Sequence, residues 1–449
     1  MNENRKRKRI RIAILSLLVL IMLIILGVSW LSSKDLAFFN KQKNKQSSGK
    51  ISTQIHSNAS GYPSVIKKAD LLAEGYDFDR AISLIKDVKG YEDNYHLASA
   101  LTRYEKEKAQ MVRWQDVTKI PHVFFHTLIA DNQKAFDGDN RQDGYNAYMT
   151  TIEEFKKIIQ QMYDRGYVLV SIHDIGHLEK QKDGSEKMAP GDIWLPKGKK
   201  PFVLSQDDVS YYEYMEGDGF AKRLILNKKG NLTNEMELED GSIVTGSYDV
   251  APLLEDFIDE HPDFSYRGAK GIIALTGYNG VLGYRTSPSE YTNSPTLKED
   301  REKARNVALA MKKQGWEFAS HSWGHINDGS APYQTFVKDT DKWEEEVESI
   351  IGKTDIYLFP FGSDIGSWHP YQGQRYEYLK NKGFNYFCNV DASKPSWVQL
   401  TDEYLRQGRI NIDGIRMYED LYKGKNTLST LFDVKSVFDE ERPLPVPGA

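Results

Sequence analysis

Two pairs of side chains have types and spacings suited to binding a metal ion and moving protons. Asp207 and Asp208 are adjacent and follow the mostly apolar segment at residues 201–205. Neighbouring carboxylates repel each other, and burying both is costly without a cation. His321 and His325 follow another apolar segment, and an i, i+4 pair projects from one side of a helical turn, as metal ligands do. The alternatives are a solvated acidic loop and a chance histidine pair.

The elements that must position these groups alternate along the chain. Seven apolar segments predict strands, and the stretches between them are amphipathic and predict helices. This alternation indicates a parallel sheet, either an open layer or a barrel, in which functional groups gather at the carboxyl ends of the strands. The predicted strands cover residues 122–128, 167–172, 201–205, 271–275, 316–320, 356–359 and 384–390.

A third cluster, Pro360-Phe361-Gly362, follows the predicted strand at residues 356–359. A Pro-X-Gly turn there can direct a backbone N–H at a developing oxyanion, although it can equally be an ordinary turn. The order strand–DD, strand–HxxxH, strand–PxG, strand–D resembles the NodB-type polysaccharide deacetylases, the fourth carbohydrate esterase family. The resemblance covers roughly residues 121–440 and extends to the segments VFFHTLI and GWEFASHSWGH.

The resemblance implies a distorted (β/α) barrel that hydrolyses N-acetyl groups of a polysaccharide with the help of a divalent metal. Zinc is the expected ion, with cobalt or nickel as possible replacements. The family's roles transfer to matching positions. The implied metal ligands are Asp208, His321 and His325, the implied catalytic groups are the base Asp207, the backbone N–H of Phe361 and Asp391, and the implied substrate contacts are Pro360, Gly362 and Trp397. For Trp397, ordinary core packing is an equal alternative.

The sequence departs from the family pattern around the predicted base. Val209 stands where the first motif has a glycine, and Leu358 stands where the third motif has an arginine that pairs with the base. Without a nearby cation, the pKa of Asp207 should be less depressed. Arg409 and Arg416 are candidates for the missing charge.

The family's final Leu-X-His, which supplies the general acid, has no counterpart, because no histidine follows His369. His126 and His369 are candidate substitutes, with structural roles as the alternative. These departures keep two other functions open. One is a catalytically weak barrel that binds glycan, and the other is an O-acetyl esterase on the same scaffold.

A long insertion separates the acidic pair from the histidine pair, since His321 lies 114 positions after Asp207. It includes residues 277–286, which are rich in glycine and tyrosine. Such a loop near a barrel mouth could wall a sugar cleft, and Tyr284 is the predicted substrate contact. The alternative is a surface excursion without a ligand role.

The N-terminus predicts a membrane anchor. Residues 1–11 carry six basic side chains and one acid, and residues 12–31 are an uncharged apolar run that spans about 30 Å as a helix. A cleaved signal peptide is the alternative. The basic flank predicts a cytoplasmic tail, so the remainder should be extracytoplasmic on a single-pass protein. Residues 32–62 are polar and predict a flexible linker.

Beyond the linker we expect a small helical, tetratricopeptide-like segment at residues 63–118, a deacetylase domain at 119–440 and a proline-rich tail at 441–449. The helical segment is either a spacer or a site for a protein partner. Because the chain has a net charge of −5 and residues 1–11 carry +5, the rest carries −10, which disfavours binding to nucleic acid. The single cysteine, Cys388, excludes an intramolecular disulfide.

Overall fold

A computed structural model describes residues 62–449 as alternating strands and helices. The strands are β1 Met111–Arg113, β2 His122–Phe125, β3 Tyr167–Leu169, β4 Gly176–Lys180, β5 Glu186–Pro190, β6 Trp194–Pro196, β7 Lys200–Gln206, β8 Arg223–Leu226, β9 Leu232–Glu237, β10 Ile243–Gly246, β11 Ile272–Leu275, β12 Glu317–Ser320, β13 Ile356–Leu358, β14 Tyr386–Val390, β15 Trp397–Leu400 and β16 Leu405–Asn411. The helices are α1 Tyr62–Glu74, α2 Phe78–Lys86, α3 Tyr95–Lys108, α4 Asn132–Ala135, α5 Gln142–Tyr148, α6 Ile152–Asp164, α7 Ile172–Ile175, α8 Val250–Glu260, α9 Leu297–Gln314, α10 Tyr333–Trp343, α11 Ser349–Ile351, α12 Gln374–Lys382, α13 Gly414–Tyr422 and α14 Val434–Val437.

Seven parallel strands close into a barrel, in the order β2, β7, β11, β12, β13, β14 and β16, with β16 pairing back to β2. Strands β2, β11 and β13 are buried along their whole length, as expected where helices cover the outside of a parallel barrel. The predicted parallel α/β architecture is therefore present, as a closed barrel.

The membership of the barrel differs from the prediction at two strands. The segment predicted at residues 167–172 forms β3, which pairs with the first half of β7 but is not part of the closed ring. The ring is completed by β16, which the sequence did not predict. Its inward-facing side chains include Gln407 and Arg409, so the strand lacks the continuous apolar run that marked the others.

Helix α6 shows how local sequence signals set the outer layer. Thr151 and Glu154 form the reciprocal capping box that begins the helix. The buried face of α6, which includes Phe155, Ile158 and Met162, packs into the main hydrophobic core. Helix α9 ends at Gly315, whose φ of 102° is the left-handed conformation that favours glycine.

The helical segment α1–α3 packs on the barrel domain. Helices α1 and α2 form the expected hairpin, and their buried residues share one hydrophobic cluster with strand residues such as Ile272 and Ile356. The backbone N–H of Arg267 donates to Gly75 O at 2.7 Å, and Tyr76 OH donates to Asp263 O at 2.9 Å. The hairpin buries its apolar face against both α3 and the barrel.

The C-terminal tail is held by a buried ion pair. Arg442 Nε lies 2.6 Å from Glu154 Oε1, and both side chains are fully buried. Residues 1–61, with the predicted cytoplasmic tail, the predicted anchor at 12–31 and nearly all of the predicted linker, lie outside the described residues. Within residues 62–449, no helix has the length and apolar character needed to cross a membrane.

Candidate metal and catalytic site

The carboxyl ends of β7 and β12 bring the two pairs of side chains together. Asp208, His321 and His325 each offer a ligand atom, and these atoms lie within 4.8 Å of one another. Asp208 Oδ2 is 3.7 Å from His325 Nε2, and Asp207 Oδ2 is 3.8 Å from His321 Nε2. The predicted ligands and the predicted base therefore occupy one site, although they come from segments more than a hundred residues apart.

A backbone contact fixes the orientation of His321. Its Nδ1 donates to Leu358 O at 2.8 Å, so Nε2 carries the lone pair that faces the acidic pair. Leu358 thus contributes its carbonyl at the position where the family pattern has an arginine. The ring of His325 packs edge-on against the rings of His321 and Phe361. The ring centroids of His325 and Phe361 are 4.3 Å apart.

The loops that carry the site hold non-glycine residues in the left-handed region. Asp208, Ser322, His325 and Phe361 have φ values between 49° and 59°. This conformation costs about 1–3 kcal/mol per residue and persists where the surroundings impose it, which is common at functional sites. Val209, at the position of the family's glycine, is fully buried.

Arg409 supplies the cation that the third motif lacks. Its Nη1 donates to Asp207 Oδ1 at 2.6 Å and to Ser205 Oγ at 3.1 Å. Burial alone would raise the pKa of Asp207, but the charge of Arg409 outweighs burial and holds that pKa well below its usual range. The alternative candidate, Arg416, instead bonds to Asn411 and Glu419.

A buried polar layer supports this pair inside the barrel. Gln407 donates its amide to Ile120 O, so its carbonyl oxygen accepts from His122 Nδ1 at 3.1 Å. His122 Nε2 then accepts from the hydroxyl of Ser205 at 3.0 Å. Burial and the charge of Arg409 lower the pKa of His122 to about 3, so this imidazole is neutral. His122 and Gln407 were not predicted as site residues, because neither belongs to a recognisable sequence motif.

His126, at the carboxyl end of β2, is the histidine that reaches the site. Its Nδ1 donates to Tyr148 O at 3.1 Å, and its Nε2 lies 3.9 Å from Asp208 Oδ2. The other candidate, His369, is exposed and stacks on Trp368, with ring centroids 3.7 Å apart. Of the two candidate histidines, His126 is therefore the one that lies beside the metal-ligand cluster.

The remaining predicted site residues have different surroundings. Phe361 is 69% exposed beside His325, and Pro360 is buried. At Gly362, where φ is 66°, an added Cβ would lie 2.7 Å from the Cβ of Val390, so this glycine is needed for packing. A glycine is therefore needed at this position for packing, independently of any contact that it makes with substrate.

Asp391 and Trp397 lie beyond β14. Asp391 caps its own turn by accepting from the backbone N–H and the hydroxyl of Ser393. The ring of Trp397 lies 5.1 Å from the guanidinium of Arg406, and its side chain is half-buried. The contacts observed for these two side chains are with the loop and with β16.

Tyr284 does not fit the predicted cleft wall. It is 4% exposed, and its hydroxyl donates to Leu224 O at 3.0 Å, so it belongs to the core of the insertion. The insertion instead brings Tyr212 to the site, with its hydroxyl 2.7 Å from Asp208 Oδ1. Asp339 is a further missed residue. It accepts from the backbone N–H groups of Trp323 and Gly324 and so holds the loop between the two histidines.

The donor set fits a divalent metal ion. One carboxylate oxygen and two imidazole nitrogens are ligands typical of catalytic zinc. The hydrogen bond from His321 Nδ1 is the outer contact that orients such a ligand. Burial lowers the pKa of His321, which favours the neutral, ligating form. Among residues 62–449, this is the group of three or more ligating side chains close enough to hold an ion.

Residues 291–386 match the protein-family model for polysaccharide deacetylase, and the matched segment contains both histidines and the turn at Pro360–Gly362. No curated protein matches the sequence significantly. Similar solved structures include Streptococcus pyogenes deacetylase PplD in complex with acetate, which is 13% identical in sequence and has a TM-score of 0.35. The match covers 72% of this chain and 100% of the PplD chain. A Bacillus anthracis protein described as a polysaccharide deacetylase is 11% identical with a TM-score of 0.35, over 67% and 65% of the two chains.

A Mycobacterium smegmatis protein with the same description is 18% identical with a TM-score of 0.22, over 36% of this chain and 44% of its own. At such TM-scores the structural likenesses carry no argument. The evidence for a deacetylase domain is the match to the family model, together with the motif residues at the strand ends. Residues 291–386 therefore match a polysaccharide deacetylase domain, a hydrolase domain, and the candidate metal ligands and base lie at the strand ends of the barrel that contains this segment.

Proposed function

We propose that this protein removes N-acetyl groups from a polysaccharide of the cell envelope, either peptidoglycan or an exopolysaccharide that contains N-acetylglucosamine. The observation that carries the proposal is the position of Asp207. Its carboxylate is paired with Arg409 and lies beside the cluster formed by Asp208, His321 and His325. A site that only bound glycan would have no need of an ionised base next to a metal-ligand cluster.

In this reaction Asp207 takes a proton from the water that attacks the acetyl carbonyl carbon. Arg409 keeps the carboxylate ionised and fixes one of its oxygens, so the other, Oδ2, faces the cluster. Asp208, His321 and His325 would hold the metal ion, expected to be zinc. When bound, the ion supplies Lewis-acid polarisation and lowers the pKa of water.

Two further groups of the chain complete the proton and charge transfers. In the proposed reaction the backbone N–H of Phe361 donates to the carbonyl oxygen as negative charge develops there. His126 acts in its imidazolium form, keeping the Nδ1 proton on Tyr148 O and donating the Nε2 proton to the sugar nitrogen as the C–N bond breaks. The products are acetate and a free amine on the glycan. The contact between His126 Nδ1 and Tyr148 O supports this role by orienting the ring.

The predicted N-terminal anchor favours a substrate near the outer face of the membrane. If residues 12–31 span the bilayer with the basic residues 1–11 inside, the barrel is extracytoplasmic and tethered by residues 32–62. Protease accessibility of the barrel in intact cells, before and after permeabilisation, tests this placement. Digestion only after permeabilisation would refute it.

Acetate release from an N-acetylated chitooligosaccharide tests the activity. The full-length, zinc-loaded protein should release acetate, and Asp207→Asn should reduce the rate by about 10²-fold or more while leaving zinc bound. An O-acetylated glycan run in parallel separates the amidase from the esterase. Release from the ester alone, or an equal rate from Asp207→Asn, would refute the proposal.

A further inference from the structure

The insertion between the acidic pair and the histidine pair delivers a tyrosine to the metal-ligand cluster. Tyr212 is 3% exposed, and its hydroxyl donates to Asp208 Oδ1 at 2.7 Å. A phenol hydroxyl is protonated at neutral pH, so it can donate this hydrogen bond. An ionised carboxylate accepts hydrogen bonds only, which fixes the direction of this one.

The direction of that bond sets the direction of two others. Because the single phenol proton is given to Asp208, the 2.8 Å contact with Thr276 must be donated by the threonine hydroxyl. Thr276 Oγ1 in turn accepts from Ser210 Oγ at 3.0 Å. Ser210 and Thr276 are both fully buried. Three hydroxyl groups thus form a chain of donors that ends on one carboxylate oxygen, and such chains strengthen each member.

Aromatic stacking holds the Tyr212 ring in place. It lies between Tyr278, with centroids 4.7 Å apart and planes within 9°, and Tyr214, with centroids 5.4 Å apart. The backbone N–H of Tyr278 also donates to Trp323 O at 3.1 Å, inside the loop that carries both histidines. Arg285 joins the two parts of the insertion, since it donates to Tyr211 O and to Asn279 O.

The two oxygens of Asp208 are therefore not equivalent. Oδ1 is occupied by Tyr212, whereas Oδ2 faces His325 Nε2 at 3.7 Å and His126 Nε2 at 3.9 Å. We propose that Tyr212 is a positioning residue that makes Asp208 a one-oxygen ligand and holds that oxygen, Oδ2, towards the ligand His325. The inference rests on the proposed metal-dependent function and assigns the insertion a role in it.

Tyr212→Phe removes the hydroxyl and keeps the stacked ring. In the full-length protein, competition with a chromophoric chelator measures the dissociation constant for zinc alone. We expect this constant to rise about 10- to 100-fold, the usual effect of losing an outer contact to a metal ligand. At saturating zinc the KM for an acetylated oligosaccharide should stay at the wild-type value, because Tyr212 is buried.

Tyr214→Phe is the matched control, since it removes the hydroxyl of the neighbouring, 43% exposed ring of the same stack. It should leave zinc affinity unchanged. Should Tyr212→Phe unfold, Thr276→Val removes the next hydroxyl in the chain, and a several-fold loss of zinc affinity is then expected. Wild-type affinity in a folded Tyr212→Phe, or an equal loss in Tyr214→Phe, would overturn the inference. Weakened zinc binding in Tyr212→Phe, together with a wild-type protein that releases no acetate, would refute the proposed function and leave the inference standing.

Discussion

Arg409 Nη1 lies 2.6 Å from Asp207 Oδ1, and both side chains are at most 3% exposed. The two residues are 202 positions apart and meet because β7 and β16 flank β2 in the barrel. The third motif of this chain lacks its arginine, so the pair places the required positive charge on a different strand. The guanidinium also lies 4.2 Å from the ring centroid of Phe124, which fixes its plane.

Replacing Arg409 should impair both folding and catalysis. In Arg409→Leu the buried carboxylate loses its partner, which should cost about 3–5 kcal/mol of unfolding free energy in denaturant titrations. Burial then raises the pKa of Asp207, so the acid limb of the pH profile of kcat/KM should move to higher pH. Arg416→Leu, on α13, is the control and should keep the wild-type limb. If the acid limb of the pH profile of Arg409→Leu stayed at its wild-type position, the proposed effect of Arg409 on Asp207 would be contradicted.

His126 should matter more for amides than for esters. An amine leaves only with a proton, whereas an alcohol leaves more readily, so His126→Ala should lower kcat on an N-acetylated glycan about 10²-fold or more and on an O-acetylated one far less. His369→Ala, at the exposed histidine, should leave both rates unchanged. Equal losses on the two substrates in His126→Ala would argue against a general acid at this position.

Gly277 should be needed for docking the insertion on the histidine loop. Its N–H donates to Trp323 O at 2.8 Å, and an added Cβ would lie 2.0 Å from Trp323 Cδ1. Gly277→Ala should therefore destabilise the protein by about 1–3 kcal/mol and weaken zinc binding. Gly144→Ala, where the added carbon meets nothing within 4 Å, provides the comparison in thermal unfolding. Identical melting temperatures for the two variants would contradict the role of Gly277 in docking the insertion on the histidine loop.

A histidine at the amino end of the barrel should make stability depend on pH. His173 bonds to Glu317 and, at 3.1 Å, to Asp355, and packs on Tyr386. Burial opposes protonation, but the two carboxylates outweigh it and raise the pKa of His173 to about 10. Its stabilising effect should be complete below pH about 6.5 and fade as pH rises towards 10.

The comparison of wild type with His173→Gln isolates this effect. The difference in unfolding free energy between the two proteins should shrink steadily as pH rises from 6.5 to 10. The neighbouring Asp174 has its pKa raised to about 6 by burial, so the measurement belongs above that value. A difference that stayed constant over this range would contradict a shifted histidine.

The parts of the site that could be predicted are those encoded by short spacings. Asp207 and Asp208 are adjacent, and His321 and His325 form one loop, so each pair is recognisable without knowing the register of the barrel. Seven strands were predicted from apolar runs, and six of them are barrel strands. The exception arose because β3 is as apolar as its neighbours, and apolarity does not distinguish a ring strand from one paired beside it.

The missed parts depend on contacts between distant elements. Arg409 was one of two candidates, because the choice depends on which side chains of β16 face inward. Tyr212 and Tyr284 both lie in loops rich in tyrosine, and their sequence contexts do not reveal which ring is core and which reaches Asp208. The strand β16 itself was not predicted, because its inward-facing side chains are polar and interrupt the apolar run by which the other strands were recognised.

Zinc titration of metal-free, full-length protein tests the central claim most directly, with acetate release from an acetylated oligosaccharide measured at every step. The account predicts that activity returns in proportion to zinc and saturates at one zinc per chain. It also predicts that Asp208→Ala requires far more zinc, whereas Asp207→Asn binds zinc and stays inactive. Full acetate release from the metal-free protein, or undiminished release by Asp207→Asn, would contradict it.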